Sequence, residues 1–166
     1  MDIRHAKEDD ASGILDLYGA LDSETEFMFF EPGERNTTVD EVRARIQRSL
    51  GSDSFALYVA AEGATVVGFC AGFSNIGKRN QHVSTLVIGV RQSSWSKGVG
   101  RQLMHAVEAW AHSKQKTKLE LTVMLDNERA IVLYESLGFE REGLKRRSVK
   151  LEHGYRDELY MGKLLD

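Results

Sequence analysis

Apolar positions along this chain switch between the spacing of a helix face and the alternation of a strand, and the switches set out its elements. A short strand is expected near residues 2–6. Over about 10–22, Ile14, Leu15, Leu17, Tyr18 and Leu21 make one apolar stripe, which predicts a helix. Glu24 to Asn36 reads as loop. Thr38-Val39-Asp40-Glu41 has the spacing of a capping box, so a second helix should run to about Leu50 and bury Val42, Ile46 and Leu50. Phe55 to Ala61 and Val66 to Phe73 are β-rich runs joined by Glu62-Gly63-Ala64, an antiparallel hairpin. A third strand should span His82 to Val90. After Gly100, helical spacing returns in Leu103, Met104, Val107, Trp110 and Ala111. Lys118 to Leu125 alternates as a strand, and Asn127 to Leu137 forms a helix with Ala130, Ile131, Leu133, Tyr134 and Leu137 inward, stopped by Gly138. Leu144 to Lys150 and Arg156 to Lys163 close the chain as a hairpin around Glu152-His153-Gly154. The order β-α-α-β-β-β-α-β-α-β-β implies an α/β fold with a mixed central sheet. With no repeat, low-complexity segment or linker in view, residues 1–166 read as one domain.

Composition narrows the partners. The 166 residues are 42% hydrophobic, enough for one sizeable core, and 22 basic against 25 acidic residues leave a net charge of −3. That balance gives no electrostatic footprint for nucleic acid or a membrane surface and favours small-molecule or peptide partners. There is no apolar run of secretory or membrane-spanning length, so a soluble cytoplasmic protein is expected. Cys70 stands alone in the apolar run Val66 to Ala71 and reads as core. No metal is expected.

The candidate chemistry begins at Val90-Arg91-Gln92-Ser93-Ser94-Trp95-Ser96-Lys97-Gly98-Val99-Gly100-Arg101, where a strand hands over to a helix. Two glycines in a tight turn let several backbone N–H groups converge at the positive end of a helix dipole, which suits a diphosphate. A plain loop turn has the same form. Two other phosphate-binding motifs are excluded by spacing: the dinucleotide fingerprint needs a small residue where Leu103 stands, and the P-loop needs a Gly-Lys-Ser/Thr run that is absent.

Together with Asn127-Glu128-Arg129-Ala130-Ile131-Val132-Leu133-Tyr134-Glu135-Ser136-Leu137-Gly138-Phe139, this segment resembles the two signature blocks of the GCN5-related N-acetyltransferase (GNAT) family. The element order resembles that family's acyl-CoA N-acyltransferase fold as well, and the closing hairpin is similar to its ribosomal-protein and small-amine acetyltransferases. The resemblance implies acetyl-CoA as co-substrate, bound where two parallel strands ending near Val90 and Leu125 splay apart. It places the pantetheine arm on backbone groups of Ile88 and Val90. The diphosphate falls on the amides of Ser96, Lys97, Gly98, Val99, Gly100 and Arg101, with side-chain charge from Lys97 or Arg101, and Asn127 also contacts the arm. Chemistry there is direct attack of an amine on the thioester. Tyr134 matches the general acid that protonates the leaving sulfur, and the Val90 N–H is the candidate for polarising the thioester carbonyl. In protein N-terminal acetyltransferases of the family a glutamate often lies five residues before the motif asparagine. Here that residue is Thr122, which leaves Glu120, on the same strand face, as the candidate base acting through water. A further departure is Trp95, where the family usually has Arg or Gln.

The acceptor side is implied to come from the segment Glu24 to Glu34 and the hairpin Gly154 to Met161. The first joins acids with rings, as a cationic amine would require, and Phe27 and Glu31 of this segment with Tyr160 of the hairpin are the candidate substrate contacts. A polyamine, amino sugar or amino acid derivative would fit, and so would a protein N-terminus or lysine. A catalytically silent CoA-binding regulatory module is the alternative of another class. A homodimer stays open, because no exposed apolar stripe demands one.

Overall fold

The computed structural model describes residues 1–166, and its elements follow the expected order. They are β1 (Asp2–His5), α1 (Ala11–Glu24), α2 (Val39–Ser49), β2 (Phe55–Glu62), β3 (Thr65–Ser74), β4 (Val83–Val90), α3 (Val99–Ser113), β5 (Lys118–Met124), α4 (Glu128–Ser136), β6 (Glu140–Leu151) and β7 (Gly154–Leu164). The strands form one seven-stranded sheet in the order β1-β2-β3-β4-β5-β7-β6. Every neighbouring pair is antiparallel except β4 and β5, which run parallel at the centre.

Each face of the sheet carries its own core. Ile14, Leu17 and Leu21 of α1 and Val42 and Ile46 of α2 pack on Leu57, Val59, Phe69 and Ala71. On the opposite face Leu103, Met104, Val107 and Trp110 of α3 and Ile131 and Tyr134 of α4 pack on Cys70, Leu86, Leu119, Leu121, Val123, Leu159 and Met161. Alternation along β5 and β7 therefore sends Leu119, Leu121, Val123, Leu159 and Met161 to the α3/α4 face. Glu120, Thr122, Glu158 and Tyr160 go to the other.

The capping box forms as expected: Thr38 Oγ1 accepts from the Glu41 N–H at 3.2 Å, and Glu41 Oε2 accepts from the Thr38 N–H at 2.8 Å. Leu50 departs from expectation, being 50% exposed. The helix ends one residue earlier, and its last turn is closed instead by buried Ser49, whose hydroxyl donates to the Ile46 carbonyl at 2.7 Å. The closing hairpin is longer than its apolar pattern suggested. β6 is an edge strand whose exposed residues need no alternation, so Glu140 to Gly143 carried no strand signal. It also contains two irregularities, between Arg141 and Gly143 and between Lys145 and Val149; in the second, Arg147 (φ 50°) donates its N–H to Asp157 at 2.7 Å.

Leu103, fully buried against β3, should be among the costliest positions to truncate. Leu103→Ala is expected to lose about 3 kcal/mol of unfolding free energy in urea, against less than about 0.5 kcal/mol for exposed Leu50→Ala. Equal costs for the two would contradict this division of the core.

Candidate active site

The parallel pairing of β4 with β5 is short. It covers Val83 to Thr85 opposite Lys118 to Glu120 and then stops, although both strands continue. The hydrogen-bonding alternation of the flanking antiparallel ladders fixes which groups this leaves free. Arg91 donates its N–H to the Val67 carbonyl at 2.8 Å, so Gly89 and Val87 also face β3 and the backbone of Ile88 and Val90 points the other way. On β5, Leu125 donates to the Asp157 carbonyl at 3.0 Å, so Val123 and Leu121 bond β7 while Thr122 and Met124 point back. The two strands thus present unpaired edges to one another across a gap. An extended, amide-bearing ligand can replace the missing pairing as an added strand.

The far end of the gap is the glycine turn. No backbone or side-chain acceptor is bonded to the amides of Ser96, Lys97, Gly98, Val99, Gly100 or Arg101; the first helical bond of α3 is Gln102 N–H to the Gly98 carbonyl, 3.1 Å. Six free amides at a helix N-terminus are a site for an anion. The turn gets its shape from two left-handed residues, Ser96 at φ 60° and Gly98 at φ 77°. Gly100 serves packing instead: a Cβ there would meet Leu133 Cδ2 at 3.1 Å, so glycine lets α3 approach α4.

Between strand gap and turn lies a cavity of about 270 Å³ lined by Ile88, Val90, Ser96, Gly98, Val99, Gly100, Arg101 and Asn127. These are the residues expected to hold acetyl-CoA, except Lys97, which is exposed and lies outside the lining. Asn127 caps α4 by accepting the Ala130 N–H at 3.3 Å. Arg101 reaches across to Ser136, donating at 2.7 Å. Tyr134 lines the cavity with a hydroxyl that has no partner in the protein, and burial pushes that phenol well above its ordinary value, so it holds its proton at neutral pH.

Ser94, Arg129, Ala130 and Leu133 carry no binding signal in the sequence, and Trp95, whose ring could pack on cofactor, substrate or the turn itself, stands out only as a departure; all five line the same cavity. Ala130 and Leu133 read as inward-facing core, and the cavity is what they face. Trp95 donates its indole N–H to the Val90 carbonyl at 2.8 Å, and the Arg129 guanidinium lies over its ring at 4.1 Å. The tryptophan therefore ties the end of β4 to the start of α4 across the mouth of the cavity.

On the α1/α2 face, a cavity of about 520 Å³ opens between the end of α1, the segment Glu26 to Pro32 and residues Val149 to Glu152. It contains Glu31. Asp22 and Glu24 in its wall are already engaged, Asp22 by Arg35 at 2.9 Å and Glu24 by Arg91 at 2.7 Å; Glu26, Glu31 and Glu152 form no ion pair. Arg35 also lies over the rings of Tyr18 and Phe30, at 4.7 and 4.5 Å, which fixes the loop to α1. Phe27 stands on the surface beside this cavity while Phe29 and Phe30 line it, and Tyr160 is exposed on the same face of β7. Glu120 is not brought into the gap: its carboxylate accepts from Thr85 Oγ1 at 3.3 Å, where the strands are still paired. His82 precedes β4, at the end away from the gap.

Residues 18–139 match the model of the acetyltransferase (GNAT) family. Among curated proteins, the N-alpha-acetyltransferase RimI of Mycobacterium tuberculosis is 34% identical over 105 residues, 63% of this chain; the match spans 64% of that protein, less than two thirds of its length. Among solved structures, an acetyltransferase of the GNAT family from Streptococcus pneumoniae superimposes with a TM-score of 0.94 at 27% identity over 99% of both chains. The Salmonella typhimurium protein yncA, solved with its cofactor acetyl-CoA, shares the fold with a TM-score of 0.87 at 21% identity, covering 100% of this chain and 94% of that one.

The left-handed turn yields a direct test. Gly98→Ala should cost about 1–2 kcal/mol, read as a loss of a few degrees in Tm, because an alanine Cβ is strained at φ 77°. An unchanged Tm would mean that the turn adapts without strain.

Proposed function

The chain belongs to the GNAT acetyltransferase family, and from that premise we propose that it transfers the acetyl group of acetyl-CoA to a primary amine, by direct attack with both substrates bound. The observation that carries this reading is the run of free amides from Ser96 to Arg101 opening onto a strand edge where the Ile88 backbone and the Val90 N–H are unpaired, the Val90 carbonyl being taken by Trp95. Acetyl-CoA has the matching parts: a diphosphate for the amides, an amide-bearing arm for the strand edge, and a thioester at the arm's end. Asn127 and Trp95 line the cavity that would take the arm.

The roles of the residues follow from position. The Val90 N–H points into the gap, where it donates to the thioester oxygen as that oxygen gains negative charge. Its peptide is held in orientation by the indole of Trp95 on the neighbouring carbonyl. Tyr134, protonated and otherwise unpartnered, gives its proton to the leaving sulfur. The bound acetyl-CoA supplies the electrophilic carbonyl carbon; the protein orients it, stabilises the oxygen and provides the proton.

For the acceptor we propose a small cationic amine, such as a polyamine, amino sugar or amino acid derivative. The support is the unpaired carboxylates of Glu26, Glu31 and Glu152 around a cavity that also presents the rings of Phe29 and Phe30. A peptide N-terminus is the second reading, favoured by the RimI likeness and by a mouth that opens between a loop and a hairpin turn. Two experiments test the proposal. Acetyl-CoA at about 100 times its Kd should stabilise the chain by about 2.7 kcal/mol, and the absence of any rise in Tm would refute the donor. A thiol-release screen across polyamines, aminoglycosides, amino acids and short peptides should find an acceptor. With that acceptor, Tyr134→Phe should lower kcat about 100-fold while acetyl-CoA affinity changes by less than about threefold. An unaltered kcat would remove Tyr134 as the acid.

A further inference from the structure

An amine arrives at neutral pH as an ammonium, and some group must take its proton before nitrogen can attack. Three carboxylates stand on the acceptor face near the gap: Glu120, Glu24 and Glu158. Register orders them along the strands. Thr85 lies opposite Glu120, so continuing residue for residue puts Gly89 level with Met124, and Met124 is paired with Glu158. Glu158 therefore stands level with Gly89, between Ile88 and Val90. Glu120 falls five residues short of Val90, roughly 16 Å along the strand.

Chemical state separates the other two. Glu24 is saturated, accepting from Arg91 Nε at 2.7 Å and from the Gln92 N–H at 2.8 Å. Glu158 accepts no hydrogen bond at all from the protein, although its side chain is only 3% exposed. Its nearest cation, Lys145 Nζ, is 3.8 Å away, beyond hydrogen-bonding distance, and is itself 46% exposed. A buried carboxylate without donors is costly, so its retention calls for a reason. Its oxygens are not sealed off, since the only enclosed side-chain polar atoms lacking a partner are His5 Nδ1 and Ser148 Oγ. The strand carrying it lies one spacing, about 4.8 Å, beyond β5, which puts the gap within reach through one bridging water.

We propose that Glu158 is the base for the incoming amine, acting through one water; this rests on the acetyl-transfer reading above. One ammonium proton passes through the water to the Glu158 carboxylate, and the freed nitrogen lone pair forms the C–N bond to the thioester carbon. The C–S bond then breaks, and the sulfur takes the Tyr134 proton. The second proton on nitrogen returns through water to the Tyr134 oxygen, and Glu158 releases its own to solvent. The charged and titratable groups around Glu158 are its β6 partner Lys145, and Arg156 and Tyr160 on its own strand; Arg147, in the β6 irregularity, instead turns to Asp157 and the Tyr155 ring. Arg156 is already held by Asp126 at 3.2 Å, the Arg91–Glu24 pair stands across the gap, and β5 contributes only Thr122 and Met124.

The test is the pH dependence of kcat/KM for Glu158→Gln, with the acceptor found by the screen. The variant should lose about 100-fold near pH 7 and lose the acidic limb of the profile, with the deficit shrinking as pH rises and the amine deprotonates by itself. The acetyl-CoA-induced rise in Tm should be unchanged. Lys145→Met offers a second reading in a chain that keeps the carboxylate: removing the nearby positive charge should move the acidic limb to higher pH. A Glu158→Gln rate within threefold of the parent, a deficit equal at all pH values, loss of the limb in Glu120→Gln instead, or an unmoved limb in Lys145→Met would each overturn the proposal. A parent chain that acetylates nothing would instead overturn the acetyl-transfer reading.

Discussion

The point on which the rest of the molecule turns is a pairing that stops early. β4 and β5 share three residue pairs and then run on without bonding each other, inside a sheet whose other neighbours are paired over longer stretches. Unpaired backbone groups at the centre of a sheet are unfavourable unless something else satisfies them. An extended ligand that completes the pairing would satisfy them, and β3 and β7 hold the two walls of the gap apart. Helices α3 and α4, packed over the same face, set its depth and leave Tyr134 facing into it.

On the proposed function, the divided core lets donor and acceptor come to the same place from opposite sides. The α3/α4 face carries the free amides and the cavity beside them, whereas the α1/α2 face carries the acidic, ring-lined opening. Only where the strands part does one face communicate with the other. Gly89 and Glu158 occupy that level on the α1/α2 side, and the Ile88 backbone and the Val90 N–H face the gap.

Much of this was legible in the sequence because it depends on local rules. The two periods of apolar spacing gave the element order, Thr38 and Glu41 marked the start of α2, and the Gly98 turn marked the place where free amides cluster. What escaped depends on register and on edges. Glu120 looked suitable because it shares a face with Thr122; only the pairing of Thr85 with Glu120 shows that the gap opens beyond it. Glu158 left a faint signal, an acid alternating with the apolar Leu159 and Met161, but its level relative to Val90 passes through two inter-strand registers that no single segment encodes. Trp95 was noticeable as a departure from its family, while its hydrogen bond to Val90 and its stacking with Arg129 are tertiary facts.

The edge of the sheet carries one more consequence. β6 ends the strand order, and its outer backbone would be a template on which another chain could polymerise. It is instead studded with Arg141, Lys145, Arg146, Arg147 and Lys150, and the extra residues between Lys145 and Val149 break its straight run of donors and acceptors. An approaching strand would meet like charges and a broken ladder, so β6 is guarded against amyloid-like growth by the same stretch of chain that supplies the lysine beside Glu158.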